Sequence, residues 1–288
     1  NLSGIRQDTY PYAEKEFMSD WAGRIMKEYT KFNIVGEEWS YNPIRIAYWQ
    51  DGNNNKDGYK SNLKSTMDFA MQKAISEGIL EEENWNTGLI KIYENLANDF
   101  YYSDPKSLLI FNDNHDMSRI YTQMKEDISK TKMAVSLMLT LPRIPQILYG
   151  TEILMEDSAK PGDHGLIRTD FPGGWKNDKS NAFNGQNLED SQLEMQNYLK
   201  TLLNFRKNSK AIHEGETLHY APKDGIYLLS RKYKDEIVIY IVNKNNKSVN
   251  LDTDRFIEIN AIGKIFTDIH TEKRYKWSGK IQIKNNSS

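Results

Sequence analysis

The sequence contains no cysteine, which excludes disulfide bonds and thiolate metal ligands. It also lacks an excess of one charge: 38 basic and 40 acidic residues give a net charge of −2, so no basic surface for nucleic acid or anionic membranes is indicated. No run of about 18 apolar residues is present, so no membrane-spanning helix is predicted. The sequence has no initiator Met and no signal peptide, and it enters a predicted strand at once. We therefore expect a processed product or a fragment.

The remaining composition is that of a globular protein, with 27% charged and 11% aromatic residues among 288 positions. Strand-length apolar runs alternate with helical periodicity up to residue 211. Beyond that point the sequence shows only strand-length alternating runs separated by turn residues. The pattern predicts an α/β fold. Residues 1–211 would form strand–helix repeats with a parallel sheet, and residues 212–288 an all-β antiparallel sandwich.

The same patterns predict the individual elements. In the first part, strands are predicted over 2–8, 32–35, 63–69, 108–111 and 144–149, and helices over 15–31, 69–77, 83–99, 124–141 and 191–208. Ser191 and Glu194 predict a capping box at the start of the last helix. In the second part, strands are predicted over 226–232, 236–243, 256–260, 263–267 and 280–284.

Three acidic residues lie at or after the ends of predicted strands: Asp8 closes the first strand, Glu37 follows the second, and Asp116 follows the run 108–111. In a barrel of alternating strands and helices, catalytic groups project from the C-terminal ends of different strands onto one face. Asp8 and Glu37 are 29 positions apart, about one strand–helix repeat, so consecutive strands would place them side by side. Glycoside cleavage uses such a pair, in which one carboxylate attacks the anomeric carbon and one carboxylic acid protonates the leaving oxygen. The two groups lie about 5–5.5 Å apart in enzymes that retain configuration.

Arg6 precedes Asp8 by two residues and so points to the same face of the strand, where it can hold Asp8 ionised. Asp116 can stabilise the positive charge that develops on the sugar. Two alternatives remain open from the residues alone. Asp8 could instead cap the helix that follows it, and Glu38 could be the acid in place of Glu37.

Several motifs resemble those of the α-amylase superfamily, glycoside hydrolase family 13. They are Gly-x-Arg-x-Asp at 4–8, Gly-Glu-x-Trp at 36–39, Asn-His-Asp at 114–116 and an eighth-strand segment at 145–152. The stretch 162–175, which ends in Asp-Phe-Pro-Gly-Gly-Trp, resembles neopullulanase- and cyclomaltodextrinase-like enzymes. The resemblance implies strands four to eight of a (β/α)8 TIM barrel, followed by the C-terminal sandwich.

The resemblance implies a retaining glycoside hydrolase that cleaves α-1,4-glucosidic bonds of starch, maltodextrin, pullulan or cyclodextrin. Asp8 matches the nucleophile, Glu37 the general acid/base and Asp116 the transition-state stabiliser. Arg6 and His115 match residues beside the nucleophile and the sugar. The weaker substrate-binding candidates, which could equally be core residues, are Trp39, Tyr149, Arg168 and Trp175. An α-glucan transglycosylase or isomerase of the same superfamily, or an inactive sugar-binding fragment, is an alternative.

The family has three strands before the Gly-x-Arg-x-Asp strand, and a barrel begun at the fourth strand has an open sheet edge. We therefore expect that a missing N-terminal barrel half or another copy of this chain completes the barrel, or that the chain is a truncated product and inactive alone.

Calcium binding is implied by analogy, but the sequence identifies no ligands. The loop 51–58 begins like a calcium loop and then has Lys56 and Asn62 where Gly and Glu are required. We predict no metal site and no cofactor. A polysaccharide substrate suggests, by analogy only, a periplasmic or extracellular location.

Overall fold

The computed structural model describes residues 2–288, so Asn1, where the predicted first part begins, lies outside the described residues. Its first part contains five short parallel strands in chain order. β1 (Gly4–Gln7) pairs with β2 (Asn33–Gly36), β2 with β3 (Ser65–Thr66), and β4 (Leu109–Ile110) with β5 (Ile144–Pro145). A parallel bridge between Met67 and Leu109 joins the two groups of strands. Within residues 2–288 no strand pairs with the outer edge of β1 or of β5, so these strands form an open part of a barrel.

Helices connect and cover these strands. They are α1 (Lys15–Glu28), α2 (Pro43–Tyr48), α3 (Phe69–Leu80), α4 (Ile90–Ala97), α5 (Ile120–Gln123), α6 (Ile128–Thr140), α7 (His164–Ile167), α8 (Asp190–Asn208) and α9 (Lys210–Glu214). Side-chain caps fix where several begin: Asp68 accepts from the Met71 amide at α3, and Asp127 from two amides at α6. Across residues 2–288 no helix combines the length and apolarity needed to cross a membrane.

The C-terminal part is all-β. β6 (Glu216–Lys223), β7 (Ile226–Tyr233) and β8 (Glu236–Asn243) form an antiparallel sheet. Two further antiparallel pairs consist of β9 (Val249–Asp252) with β12 (Lys280–Ile283), and β10 (Ile265–Thr267) with β11 (Arg274–Lys276).

Strand β7 is buried on both faces, and this explains how the two parts pack. Tyr227 and Leu229 belong to the large core formed with α3, α4, α6 and α8. Leu228, on the opposite face of the pleat, belongs to a second core with Phe256 and Trp277. The sheet of β6, β7 and β8 is therefore packed between the helices on one face and the strand pairs β9–β12 and β10–β11 on the other.

The predicted fold class, a partial barrel followed by an all-β part, is confirmed, whereas several elements differ from prediction. The strand predicted over 256–260 is wrong, because Thr253–Ile259 form 3-10 helical turns after the cap at Asp252. The strand predicted over 63–69 is only Ser65–Thr66, because Asp68 already caps α3.

The capping box of α8 also differs from prediction. It is formed by Glu189 and Gln192, not by Ser191 and Glu194. Glu194 lies further along α8 and binds Lys132 of α6 at 2.5 Å. The helix therefore begins one residue earlier than the predicted position.

Candidate active site

The three acidic residues selected from the sequence meet at one end of the open barrel. Glu37 directly follows β2, Asp8 directly follows β1, and Asp116 lies in the loop after β4. One carboxylate oxygen from each of the three lies within 4.8 Å of the others. Parallel strands bring their C-terminal ends to one edge of the sheet, so residues distant in sequence converge here.

Arg6 joins two of these acids. Its Nη1 donates to Asp8 Oδ1 at 2.7 Å, and its Nη2 donates to Glu37 Oε1. The Asp8 side chain is 65% exposed, whereas that of Glu37 is 5% exposed. The two carboxyl groups therefore share one cation but lie in different solvent environments.

These environments change the two pKa values in opposite directions. Burial raises the pKa of Glu37, and the nearby Asp8 adds to this effect, although the Thr9 amide at 3.1 Å and Arg6 oppose it. The hydrogen bond from Arg6 lowers the pKa of Asp8, and the hydrogen bond with Glu37 acts in the same direction. A proton on the pair is therefore placed on Glu37, and Asp8 remains ionised.

Gly36 explains why the chain can hold Glu37 in this position. A Cβ added at Gly36 would lie 2.6 Å from Leu63 Cδ2 and 2.9 Å from the Tyr10 ring. The backbone of Glu37 is fixed on both sides, since its amide donates to Gln7 at 2.9 Å and its carbonyl accepts from Tyr10 at 3.0 Å. Only a residue without a side chain fits between the packed groups at the end of β2.

The contacts of Glu38 and the cap of α1 bear on the two alternatives left open by the sequence. Glu38 is buried, and its oxygens accept from Arg45 at 2.9 Å and from Trp49 Nε1 at 3.0 Å. The side chain of Glu38 is thus occupied by groups from α2 and the residue after it. The helix α1 has Glu14 at its N-cap, so Asp8 does not cap it.

Asp116 is held by groups from two loops. Arg168 Nη2 lies 2.5 Å from Oδ1, and His115 Nε2 lies 3.1 Å from Oδ2. The backbone amide of Asp116 donates to Asn114 Oδ1 at 2.8 Å. Each carboxylate oxygen of Asp116 therefore already has a partner, and His115 and Arg168 both lie at the predicted site.

The aromatic candidates are partly exposed, and no hydrogen bond among residues 2–288 connects them to the three acids. Trp39 stacks on Phe69 with ring centroids 4.7 Å apart. The hydroxyl of Tyr149 donates to the Thr169 carbonyl at 2.9 Å. Trp175 is 67% exposed and so offers an open ring face.

The sequence analysis missed Arg119, which is fully buried and lies three residues after Asp116. Its guanidinium donates to the Ile167 carbonyl at 2.9 and 2.5 Å and to the Tyr149 carbonyl. Its amide donates to Asp157 at 3.0 Å. Arg119 stands among polar residues in the sequence, so no local signal distinguishes it from a surface residue.

The described residues give one candidate position for a cation. Across 2–288 the only cluster of three or more potential His, Asp or Glu ligands is the set Asp8, Glu37 and Asp116, and Arg6 already pairs with two of these acids. In the loop 51–58, Asn55 Nδ2 donates to the carbonyls of Tyr48 and Tyr59, and Asp57 pairs with Lys15. These loop side chains stabilise the loop itself.

Fold and site together define a barrel protein of alternating strands and helices with a carboxylate cluster of the glycosidase type. Residues 7–192 match the family model for the alpha amylase catalytic domain, and residues 217–288 match that for the cyclo-malto-dextrinase C-terminal domain. The first match covers more than half of the chain, so the chain belongs to the alpha-amylase catalytic-domain family.

Among curated relatives, cyclomaltodextrin glucanotransferase of Paenibacillus macerans is 23% identical over 85% of this chain and 30% of its own length. The alpha-amylase of Niallia circulans is 24% identical over 85% of this chain and 41% of its own length. Alpha-amylase 3 of Dictyoglomus thermophilum is 29% identical over 74% of this chain and 42% of its own length. The chain thus spans less than half the length of these relatives.

Solved structures with the same fold include alpha-amylase from Geobacillus thermoleovorans complexed with acarbose, with a TM-score of 0.75 and 23% identity over 99% of this chain and 58% of that chain. Cyclic alpha-maltosyl-(1→6)-maltose hydrolase from Arthrobacter globiformis, in complex with its namesake saccharide, has a TM-score of 0.72 and 15% identity over 100% of this chain and 55% of that chain. At these identities the likeness concerns the fold.

Proposed function

We propose that this chain carries the catalytic groups of a retaining glycoside hydrolase that acts on α-1,4-glucans. The observation that carries the proposal is the convergence of Asp8, Glu37 and Asp116, in which the pKa of Glu37 is raised and the pKa of Asp8 is lowered. Carboxylate oxygens within 4.8 Å suit the retaining geometry of about 5–5.5 Å, because inverting enzymes need about 6.5–9.5 Å to admit a water.

In the proposed mechanism, Asp8 attacks the anomeric carbon while Glu37 gives its proton to the leaving glycosidic oxygen. The bond from the anomeric carbon to that oxygen breaks, and a glycosyl ester forms on Asp8. Glu37, now ionised, takes a proton from a water that attacks the same carbon and releases Asp8. Asp116 stabilises the positive charge on the sugar in both transition states.

The substrate class follows from the relatives, which are named as amylases and cyclomaltodextrin glucanotransferases. Because some relatives are transferases, α-glucan transfer is the second candidate function. In that case a sugar hydroxyl takes the place of water in the second step. Incubation with maltoheptaose separates the two, since transfer yields oligomers longer than the substrate and hydrolysis yields only shorter ones.

We further propose that the barrel is completed by strands outside this chain segment, either from an N-terminal half or from another copy. Among the described residues no strand pairs with the outer edges of β1 and β5, and this supports the proposal because exposed edges of a parallel sheet are normally covered. Ile144 on β5 is 39% exposed, as expected for an edge strand that another element covers. In the proposed division, the barrel part ends near residue 211 and the sandwich begins at 212.

The test uses α-maltosyl fluoride and the protein with its barrel completed. Asp8→Asn removes the nucleophile and should lower turnover by roughly 10³-fold or more. Glu37→Gln should still form the ester on Asp8, since fluoride leaves without an acid, but should release it slowly for lack of a base. Mass spectrometry should then detect a maltosyl adduct on Glu37→Gln and none on Asp8→Asn. Near-normal turnover in Asp8→Asn would remove the assignment.

A further inference from the structure

We propose that Arg168 is a positioning residue that sets the orientation of Asp116 and does not itself bind sugar. The inference rests on the proposed function, because it assigns Arg168 a role through the proposed transition-state stabiliser. Arg168 lies in the stretch between β5 and α8, outside the barrel strands. The control of Asp116 would therefore come from a segment far from it in sequence.

Two contacts of Arg168 fix both the side chain and the backbone next to Asp116. Nη2 lies 2.5 Å from Asp116 Oδ1, and Nε donates to the carbonyl of His115 at 2.8 Å. A planar guanidinium holds these two donors in one rigid geometry. With its side chain and the preceding peptide held by one planar group, Asp116 loses freedom in its backbone and side-chain torsions.

The position of Arg168 is itself fixed by α7. Asp163 caps the start of this short helix by accepting from the amides of Gly165 and Leu166, and Arg168 follows its last residue. The carbonyl of Ile167, one residue before Arg168, accepts two hydrogen bonds from the buried guanidinium of Arg119. The backbone that carries Arg168 is thus tied to the interior of the protein.

Asp157 makes a second connection between the segment before α7 and the loop that carries Asp116. Its Oδ1 accepts from the Arg119 amide at 3.0 Å, and its Oδ2 accepts from the Gly162 amide at 2.7 Å. The residues before α7 are therefore bound to the loop that also carries Asp116. Arg168 and Asp116 extend from one hydrogen-bonded unit, and this arrangement favours a fixed distance between them.

The contacts of Arg168 favour positioning over sugar binding. Its Nε and Nη2 are directed at protein acceptors, and Nη2 also lies 3.3 Å from His164 Nδ1. A carboxylate has about four lone-pair sites, so Asp116 can accept from Arg168 and His115 and still accept from a sugar hydroxyl. A misplacement of 1 Å costs about 10²-fold in rate, so loss of this support should act mainly on kcat.

The test compares Arg168→Met and Arg168→Lys with the control Arg24→Met in the protein with its barrel completed, on maltoheptaose. Arg24 forms an exposed ion pair with Asp20 on α1, so its loss should leave kcat and KM unchanged. Arg168→Met should lower kcat about 10²-fold with KM changed less than about threefold. Arg168→Lys keeps the charge without the planar pair of donors, so its kcat should fall between that of Arg168→Met and that of the unmodified protein.

A double-mutant cycle separates action through Asp116 from a general structural role. In an Asp116→Asn background, Arg168→Met or Arg168→Lys should cause little further loss of kcat, because the group being positioned is already changed. An increase in KM alone, an unchanged kcat, or equal losses in both backgrounds would overturn the proposal. Failure of the proposed function is distinguishable, because it would appear as near-normal turnover in Asp8→Asn, whatever Arg168 does.

Discussion

Loss of Arg143 should strongly destabilise the chain. Arg143 lies directly before β5, and its guanidinium donates to Asp68 at 3.0 Å and to Asp99 at 3.1 Å. The side chains of Arg143 and Asp68 are each 1% exposed, and that of Asp99 is 25% exposed. The network connects the start of α3 to the start of β5 and so links the two groups of parallel strands.

The expected magnitude follows from the burial of Asp68. Removing one partner of a buried ion pair leaves an uncompensated charge and costs about 3–5 kcal/mol. Asp99 can turn toward solvent, whereas Asp68 remains inside and also accepts from the Met71 amide at 3.0 Å. We therefore expect Arg143→Met to lower the free energy of unfolding at pH 7 by about 3–5 kcal/mol, measured by urea denaturation followed by circular dichroism.

The pH dependence gives a second measurement. Burial already raises the pKa of Asp68 despite the opposing charge of Arg143, and removal of Arg143 raises it further. A raised folded-state pKa gives stability at low pH that is lost as pH rises through that pKa, so the deficit of Arg143→Met should shrink on acidification. The double variant Arg143→Met/Asp68→Asn should recover part of the loss. A deficit below about 1 kcal/mol at pH 7, or one that grows at acidic pH, would refute the reasoning.

Two further substitutions test the packing around the site. Gly36→Ala should cost about 1–3 kcal/mol and lower kcat, because its Cβ would lie 2.6 Å from Leu63 Cδ2 beside Glu37; an unchanged melting temperature and kcat would contradict this. Asp113→Asn should flatten the pH dependence of stability, because burial raises the pKa of Asp113 to about 6 and the wild type loses up to ~3 kcal/mol as pH rises through that value. If the urea midpoint changed between pH 4 and pH 7 by the same amount in the wild type and in Asp113→Asn, Asp113 would not be the cause of the pH dependence.

The sequence predicted the parts of the structure that depend on local pattern and on strand order. Buried strands alternating with helices predict parallel pairing, and parallel pairing brings the residues after consecutive strands together. The meeting of Asp8, Glu37 and Asp116 is therefore a consequence of topology, and it could be expected before any coordinates. The position of Arg6 could be expected as well, because residues two apart on a strand point to the same face of the sheet, so Arg6 lies beside Asp8.

Other features depend on contacts that the local pattern does not contain. Ile257 and Ile259 alternate with polar residues as in a short strand. In the structure Phe256 and Ile259, three residues apart, are buried in 3-10 turns and Ile257 is exposed. Glu194 has the spacing of a capping residue but binds Lys132 of another helix. The role of Arg119 depends on Ile167, 48 residues away, so only the folded chain reveals it.

The opposite pKa shifts of the two central acids arise from groups within a few residues of them. Arg6, two residues before Asp8, lowers the pKa of Asp8, and Gly36 at the end of β2 lets Glu37 pack inside, where burial raises its pKa. The contrast between the two pKa values therefore does not require the additional strands that we propose complete the barrel. If the proposed additional strands cover the side chain of Asp8, which is 65% exposed here, they would exclude water and strengthen its electrostatic interaction with Arg6. If the isolated chain bound no glucan yet still showed a raised pKa for Glu37, the defect would lie in substrate positioning rather than in the acids.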